Sequence, residues 1–146
     1  MTSDSIVIIP TYNEKENMEK IIRAVFGLEK TFHILVIDDG SPDGTAQIVH
    51  NLIKEEFADR LFIIERSGKL GLGTAYIRGF QWALEHHYEY IFEMDADFSH
   101  NPNDLPRLYE ACAVQGGDVA IGSRYVSGVN VVNWPMGRVL MSYFAS

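Results

Sequence analysis

Five short apolar runs alternate with stretches of helical periodicity, and this alternation narrows the possible folds more than any other feature of the chain. The runs are Ile6-Val7-Ile8-Ile9, Ile34-Leu35-Val36-Ile37, Leu61-Phe62-Ile63-Ile64, Tyr90 to Met94, and Val119-Ala120-Ile121. Between the first two, Met18, Ile21, Ile22, Val25 and Phe26 fall on one helical face within 17–28. Residues 45–57, 74–84 and 105–114 read as helices in the same way. Strands with no polar alternation have no solvent face, so both faces must be covered. Strict β-α alternation then predicts an α/β chain: a mostly parallel sheet with helices on both faces.

In such sheets ligands bind beyond the carboxyl ends of the strands. Four polar clusters lie there, at intervals of about 30 residues: Pro10-Thr11-Tyr12-Asn13-Glu14, Asp38 to Thr45, Lys69-Leu70-Gly71-Leu72-Gly73, and Asp95-Ala96-Asp97. Ser123-Arg124-Tyr125 follows the fifth strand. Asp95 and Asp97 flank one residue, so in extended chain both side chains point the same way. Two carboxylates at the end of a buried strand cost several kcal/mol to desolvate unless a cation meets them. A hard divalent ion holding a phosphorylated ligand explains them economically. Asp38-Asp39 ends another buried strand, and Asp39 is suited to accept hydrogen bonds from ribose hydroxyls or a base edge.

Other motifs are absent. Lys69 precedes its glycines, so there is no P-loop, and Tyr76 stands where a dinucleotide fingerprint needs glycine. The histidines lack metal-ligand spacing, and no nucleophile elbow occurs. At 146 residues and a net charge of −8, the chain suits one domain and disfavours nucleic acid as a partner. From residue 118 onward the charged residues are Asp118, Arg124 and Arg138. The lone Cys112 reads as a packed thiol, and there is neither a signal core nor an apolar run of spanning length. A cytoplasmic setting fits these features.

Residues 126–133 read as a loop. From Trp134, Met136, Val139, Leu140, Tyr143 and Phe144 recur at helical spacing, with Arg138 and Ser142 stacked on the opposite side. This predicts a C-terminal amphipathic helix able to lie on a membrane surface. The chain stops inside that apolar segment without a helix stop signal, as a fragment of a longer protein would. The expected division is a core over 1–125 and the start of a second segment over 126–146.

Taken in order, Pro-Thr-Tyr-Asn-Glu, Asp-Asp-Gly-Ser-Pro-Asp-Gly-Thr, Gly-Leu-Gly-Thr-Ala, Asp-Ala-Asp-x-Ser-His and Gly-Ser-Arg-Tyr resemble the dolichol-phosphate (polyprenol-phosphate) mannosyltransferase group of the inverting family 2 glycosyltransferases. The resemblance covers essentially all of 5–146. It implies a GT-A fold, GDP-mannose as donor, Mg²⁺ or Mn²⁺ as cofactor, and a dolichyl or polyprenyl phosphate acceptor at the cytoplasmic face of a membrane. It would make 1–125 the nucleotide-sugar-binding core and 126–146 the start of the acceptor-side segment. It further implies that Pro10, Tyr12, Glu14, Ile37 and Asp39 form the donor-nucleotide pocket. Asp95, Ala96 and Asp97 would be the metal and diphosphate site, with Asp95 and Asp97 as ligands. Arg124, with Arg138 and Ser142, would hold phosphate oxygens of donor and acceptor. Some relatives carry a further metal ligand, Gln, where Ser99 stands, which leaves that ligand open. Two alternatives stay beside this reading. One is a related transferase using UDP-glucose or another donor with undecaprenyl phosphate; the other is a nucleotide-binding module without turnover.

Overall fold

The computed structural model describes residues 2–68, 71–98, 101–113, 119–122, 129–132 and 138–141, the last three segments as strands. In chain order the elements are β1 (Ser5–Thr11), α1 (Lys15–Phe26), β2 (His33–Asp38), α2 (Thr45–Leu52), β3 (Leu61–Glu65), α3 (Leu72–Glu85), β4 (Tyr90–Glu93), α4 (Leu105–Ala113), β5 (Val119–Gly122), β6 (Val129–Val132) and β7 (Arg138–Met141). Helix α2 runs on through one π-helical turn, Ile53–Phe57, and a short 3-10 turn, Pro102–Asp104, leads into α4.

The strands form one sheet in the order β3-β2-β1-β4-β7-β5-β6. Every pairing is parallel except β5 with β6. The chain first builds outward from β1 through β2 to β3, then returns to place β4 on the other side of β1. The strand order therefore reverses between β1 and β4, and a crevice opens at their carboxyl ends. Pro10 is tolerated inside the central strand because β4 pairs only as far as Ile8, opposite Glu93; beyond it Pro10 has a single neighbour, Ile37 of β2.

Side-chain alternation divides the core. Val7, Ile9, Ile34, Val36 and Phe92 face α1, α2 and α4, whose Met18, Ile22, Val49 and Leu108 are buried against them. Ile6, Ile8, Leu35, Ile37 and Ile91 face α3. These are the two covered faces that the continuous apolar strands require. On the α3 side the fit is close: a Cβ on Gly79 would stand 2.7 Å from Ile8 Cγ2 and 2.8 Å from Ile8 Cδ1. Gly79→Ala is accordingly expected to destabilise the fold by about 1–3 kcal/mol, the usual cost of overpacking. Urea denaturation should show a lower midpoint at unchanged slope; an unaltered midpoint would show that α3 lifts from β1 without penalty.

Two expectations for the C-terminal region are corrected. Val129–Val132, within the segment read as a loop, is an edge strand antiparallel to β5. Arg138–Met141, expected in an amphipathic helix, is a strand between β4 and β5. The reason is the sheet itself. Without β7 the inner edge of β4 has no partner, and pairing a four-residue segment there satisfies backbone groups on both neighbours. Helical spacing of apolar residues does not register that demand.

Candidate active site

The loops that follow β1 and β2 are laced together by side-chain to backbone hydrogen bonds. Ser41 Oγ donates to Asp38 Oδ1 at 2.6 Å and accepts from the Asn13 N–H at 2.8 Å. Asp38 Oδ2 also accepts from the Ser41 N–H. The Glu14 N–H donates to Thr45 Oγ1 at 3.2 Å, and the Lys15 N–H to Asp43 Oδ2 at 3.2 Å. Two of the orphan donors at the start of α1 are thus met by Thr45, which begins α2, and Asp43, which precedes it. Asp38, 1% exposed, is consumed by this lacing.

Asp39 is different. Its carboxylate receives two hydrogen bonds from one guanidinium, Arg66 Nε at 2.6 Å and Arg66 Nη2 at 2.9 Å, with both side chains about nine-tenths buried. The same guanidinium reaches Thr74 Oγ1 at 3.1 Å and the Gly71 carbonyl at 3.3 Å. Arg66 therefore ties the end of β2 to the first turn of α3. Gly40 permits the approach, since a Cβ there, at φ +73°, would stand 3.0 Å from the Gly68 nitrogen. No sequence motif marks Arg66 as a partner of Asp39; the pairing of β2 with β3 brings them together.

At the end of β4 the Met94 N–H donates to the Ile8 carbonyl at 3.0 Å, carrying the pairing with β1 to the edge of the crevice. The chain then turns through Asp95, Ala96 and Asp97. Ala96 is buried, Asp95 half-buried and Asp97 exposed. The Tyr76 hydroxyl of α3 donates to Asp95 Oδ1 at 3.3 Å. Burial, and then the charge of Asp95, push the Glu93 carboxyl up to about 7. Burial, followed by the charges of Asp95 and Glu93, raises the Tyr76 phenol well above its usual range. Three acids concentrate negative potential at one strand end. An all-oxygen donor set in such a field fits a divalent cation that keeps waters and phosphate oxygens as further ligands. Among the described residues no group of three His, Cys, Asp or Glu side chains forms a closed metal site.

The turn ends at Phe98, whose φ of 63° puts a bulky residue in the left-handed region, at a cost of order 1–2 kcal/mol. Its ring is 40% exposed. Tyr12, at the end of β1, is 37% exposed.

Of the residues singled out from sequence, Pro10, Tyr12, Glu14, Asp39, Asp95, Ala96 and Asp97 lie at the carboxyl ends of β1, β2 and β4. Glu14 starts α1 and accepts from Asn17 Nδ2 at 3.2 Å. The Ile37 side chain is fully buried in the core facing α3, so only its backbone borders the crevice. Arg138 is not brought to this edge. It pairs in register with Tyr90, at the amino end of β4, whereas Met141 is level with Glu93. Arg124 and Ser142 lie outside the described residues. A cavity of about 280 Å³ beside these loops is lined by Asn13, Glu14, Lys15, Glu16, Asn17 and Asp43. A larger one of about 520 Å³, around Asp4, Lys30 and Glu89, opens near the amino ends of the strands, where Asp4 is held by Ser5, Lys30 and Tyr109.

Residues 6–145 match the model of glycosyl transferase family 2. The chain belongs to that family. Within it, the chain is similar to a polyprenol monophosphomannose synthase of Mycolicibacterium smegmatis, 48% identical over 145 residues that cover 99% of this chain and 54% of the relative. It is 43% identical to an undecaprenyl-phosphate mannosyltransferase of Micrococcus luteus, covering 97% of the chain and 56% of the relative. A dolichol-phosphate mannosyltransferase of Pyrococcus furiosus is also 43% identical, with 93% and 37% covered. This family 2 chain thus spans about half the length, or less, of the curated relatives it matches. Among solved structures, a mannosyltransferase of Pyrobaculum calidifontis, in complex with GDP-Man and Mn²⁺, superposes with a TM-score of 0.67 at 23% identity, covering 82% of this chain and 35% of that one. The architecture is the GT-A fold.

Proposed function

We propose that this chain is the donor-binding portion of a metal-dependent mannosyltransferase that moves mannose from GDP-mannose to a polyprenyl phosphate, with inversion at the anomeric carbon. What supports the reading is that the Asp95/Asp97 pair, Tyr12 and the Arg66-braced Asp39 follow the carboxyl ends of the neighbouring strands β4, β1 and β2. The names of the curated relatives support mannose as the sugar and a polyprenyl phosphate as the acceptor.

In this reading Tyr12 and Asp39 bind the nucleoside, the ring by its face and the carboxylate as acceptor. Pro10 and Ile37 supply backbone to the pocket wall, and Glu14 borders it. Asp95 and Asp97 would hold a divalent ion, Mg²⁺ or Mn²⁺, against the donor diphosphate. When bound, that ion supplies Lewis-acid neutralisation of the leaving group. Arg124 adds a cation for the phosphate oxygens. An oxygen of the acceptor phosphate attacks the anomeric carbon as the bond to the diphosphate breaks, and the nucleoside diphosphate departs. A phosphate monoester has a second pKa of about 6, so its nucleophilic oxygen carries no proton to remove. The chain therefore needs no tuned general base; it needs positioning and charge. With Arg138 at the amino end of β7, acceptor positioning falls to Arg124 and to Ser142, the residue after Met141. The lipid acceptor places the reaction at a membrane surface, on the cytoplasmic side in this reading. No described helix is long and apolar enough to cross a membrane.

Thermal shift tests the donor reading. GDP-mannose with Mn²⁺ or Mg²⁺ is expected to raise the melting temperature, since ligand at a hundred times its dissociation constant stabilises by about 2.7 kcal/mol. The shift should vanish with chelator. UDP-sugars outranking GDP-mannose would shift the assignment to a UDP-glucose type of transferase, and no metal-assisted response to any nucleotide would refute it.

A further inference from the structure

Phe98 joins two features that folding does not account for. Its backbone occupies the left-handed region at φ 63°, which Gly or Asn would enter at less cost. The residue is nevertheless 40% exposed and belongs to neither core cluster of the described residues. Held strain of this kind clusters at ligand clamps. The placement agrees. Phe98 directly follows Asp97, at the carboxyl end of β4, and Tyr12 occupies the corresponding end of the adjacent β1. Among the described residues the other large exposed apolar side chains, Ile77 and Leu84, lie along α3.

We propose that the Phe98 ring is the platform for the transferred sugar, packing on its C–H face, and that the left-handed turn holds it in that position. The inference rests on the donor reading above and deepens it. In a sugar nucleotide the sugar is bonded to the distal phosphate, and Asp95 and Asp97 hold the diphosphate. Successive Cα atoms are only 3.80 Å apart, so the residue after Asp97 is within reach of that sugar. The nucleobase lies toward Tyr12 and Asp39, and the acceptor lipid is separated from the sugar by its own phosphate. A hexose presents C–H patches within a polar rim, which a flat aromatic face can cover without leaving polar groups unpaired.

The test compares GDP with GDP-mannose, each with Mn²⁺, by calorimetric titration of the wild-type chain, Phe98→Asn and Phe98→Tyr. Asn enters the left-handed region readily, so that variant removes the ring while keeping the turn. Phe98→Asn is expected to bind GDP-mannose about three- to tenfold more weakly, the range of a single aromatic contact, and GDP within twofold of wild type. Phe98→Tyr should bind both as wild type does, and the melting temperature of Phe98→Asn should not fall. Undiminished GDP-mannose binding by Phe98→Asn would overturn the proposal. So would an equal loss for both nucleotides, which would mark a role in the turn alone. A wild-type chain that takes up neither nucleotide would instead defeat the donor reading, and the platform with it.

Discussion

Asp97→Asn is expected to lower mannosyl transfer by roughly a thousandfold or more while leaving the fold intact. Asp97 is exposed at the end of β4, so the amide costs no core packing. It also removes one negative charge near Tyr76, whose phenol is raised by burial, then by Asp95 and Glu93, and last by Asp97. The metal-free protein should therefore melt no lower than wild type. In the proposed mechanism, what changes is the holding of the divalent ion that would neutralise the departing diphosphate. Neutralising a leaving group in this way contributes several kcal/mol to the transition state, and each 1.36 kcal/mol is tenfold in rate. The measurement is initial-rate transfer to a polyprenyl phosphate, by a preparation active as wild type, alongside a melting curve. Wild-type turnover in Asp97→Asn would remove Asp97 from the metal site.

Arg66→Met should produce the largest loss of stability, about 3–5 kcal/mol. The Arg66 and Asp39 side chains are 11% and 10% exposed, and the pair is bidentate. Deleting the cation leaves a buried carboxylate without its counter-charge, a situation more costly than lacking the pair altogether. Contacts to Thr74 and the Gly71 carbonyl go with it. Two further variants separate these contributions. Arg66→Lys keeps the charge but lacks the planar fork and should fall between. Adding Asp39→Asn to Arg66→Met should recover part of the loss, because the stranded charge is then gone. Urea denaturation reads all three, and a loss under about 1 kcal/mol in Arg66→Met would mean that water or another group already serves Asp39.

The strand-end residues proposed for the donor site carry local signals, and the structure does place them at carboxyl strand ends. Asp95 and Asp97 announce themselves by being acids at the end of an apolar strand. Tyr12 and Asp39 sit in turns where proline and glycine mark the strand ends. Arg66 carried no such mark: it lies 27 residues from Asp39 and meets it only because β2 and β3 pair with Asp38 opposite Glu65. The C-terminal segment differs from its helical expectation for the complementary reason. Met136, Val139, Leu140, Tyr143 and Phe144 satisfy a helical period, yet Val139 and Leu140 pair in the sheet with Ile91 and Phe92 on one side and Val119 and Ala120 on the other.

What the sequence determined by itself was the set of elements through α4 and the edge of the sheet where chemistry belongs. Continuous apolar runs and 3.6-residue periods act within a few residues, and strand-to-helix loops in a parallel sheet necessarily emerge at the carboxyl ends. Only the tertiary structure decided the strand order, the packing of α3 on the Ile8 face, the Arg66 brace, the strained turn at Phe98 and the placement of Arg138 level with Tyr90. Each of these depends on pairing between segments distant in sequence, where unmet backbone groups and buried charge outweigh any local preference.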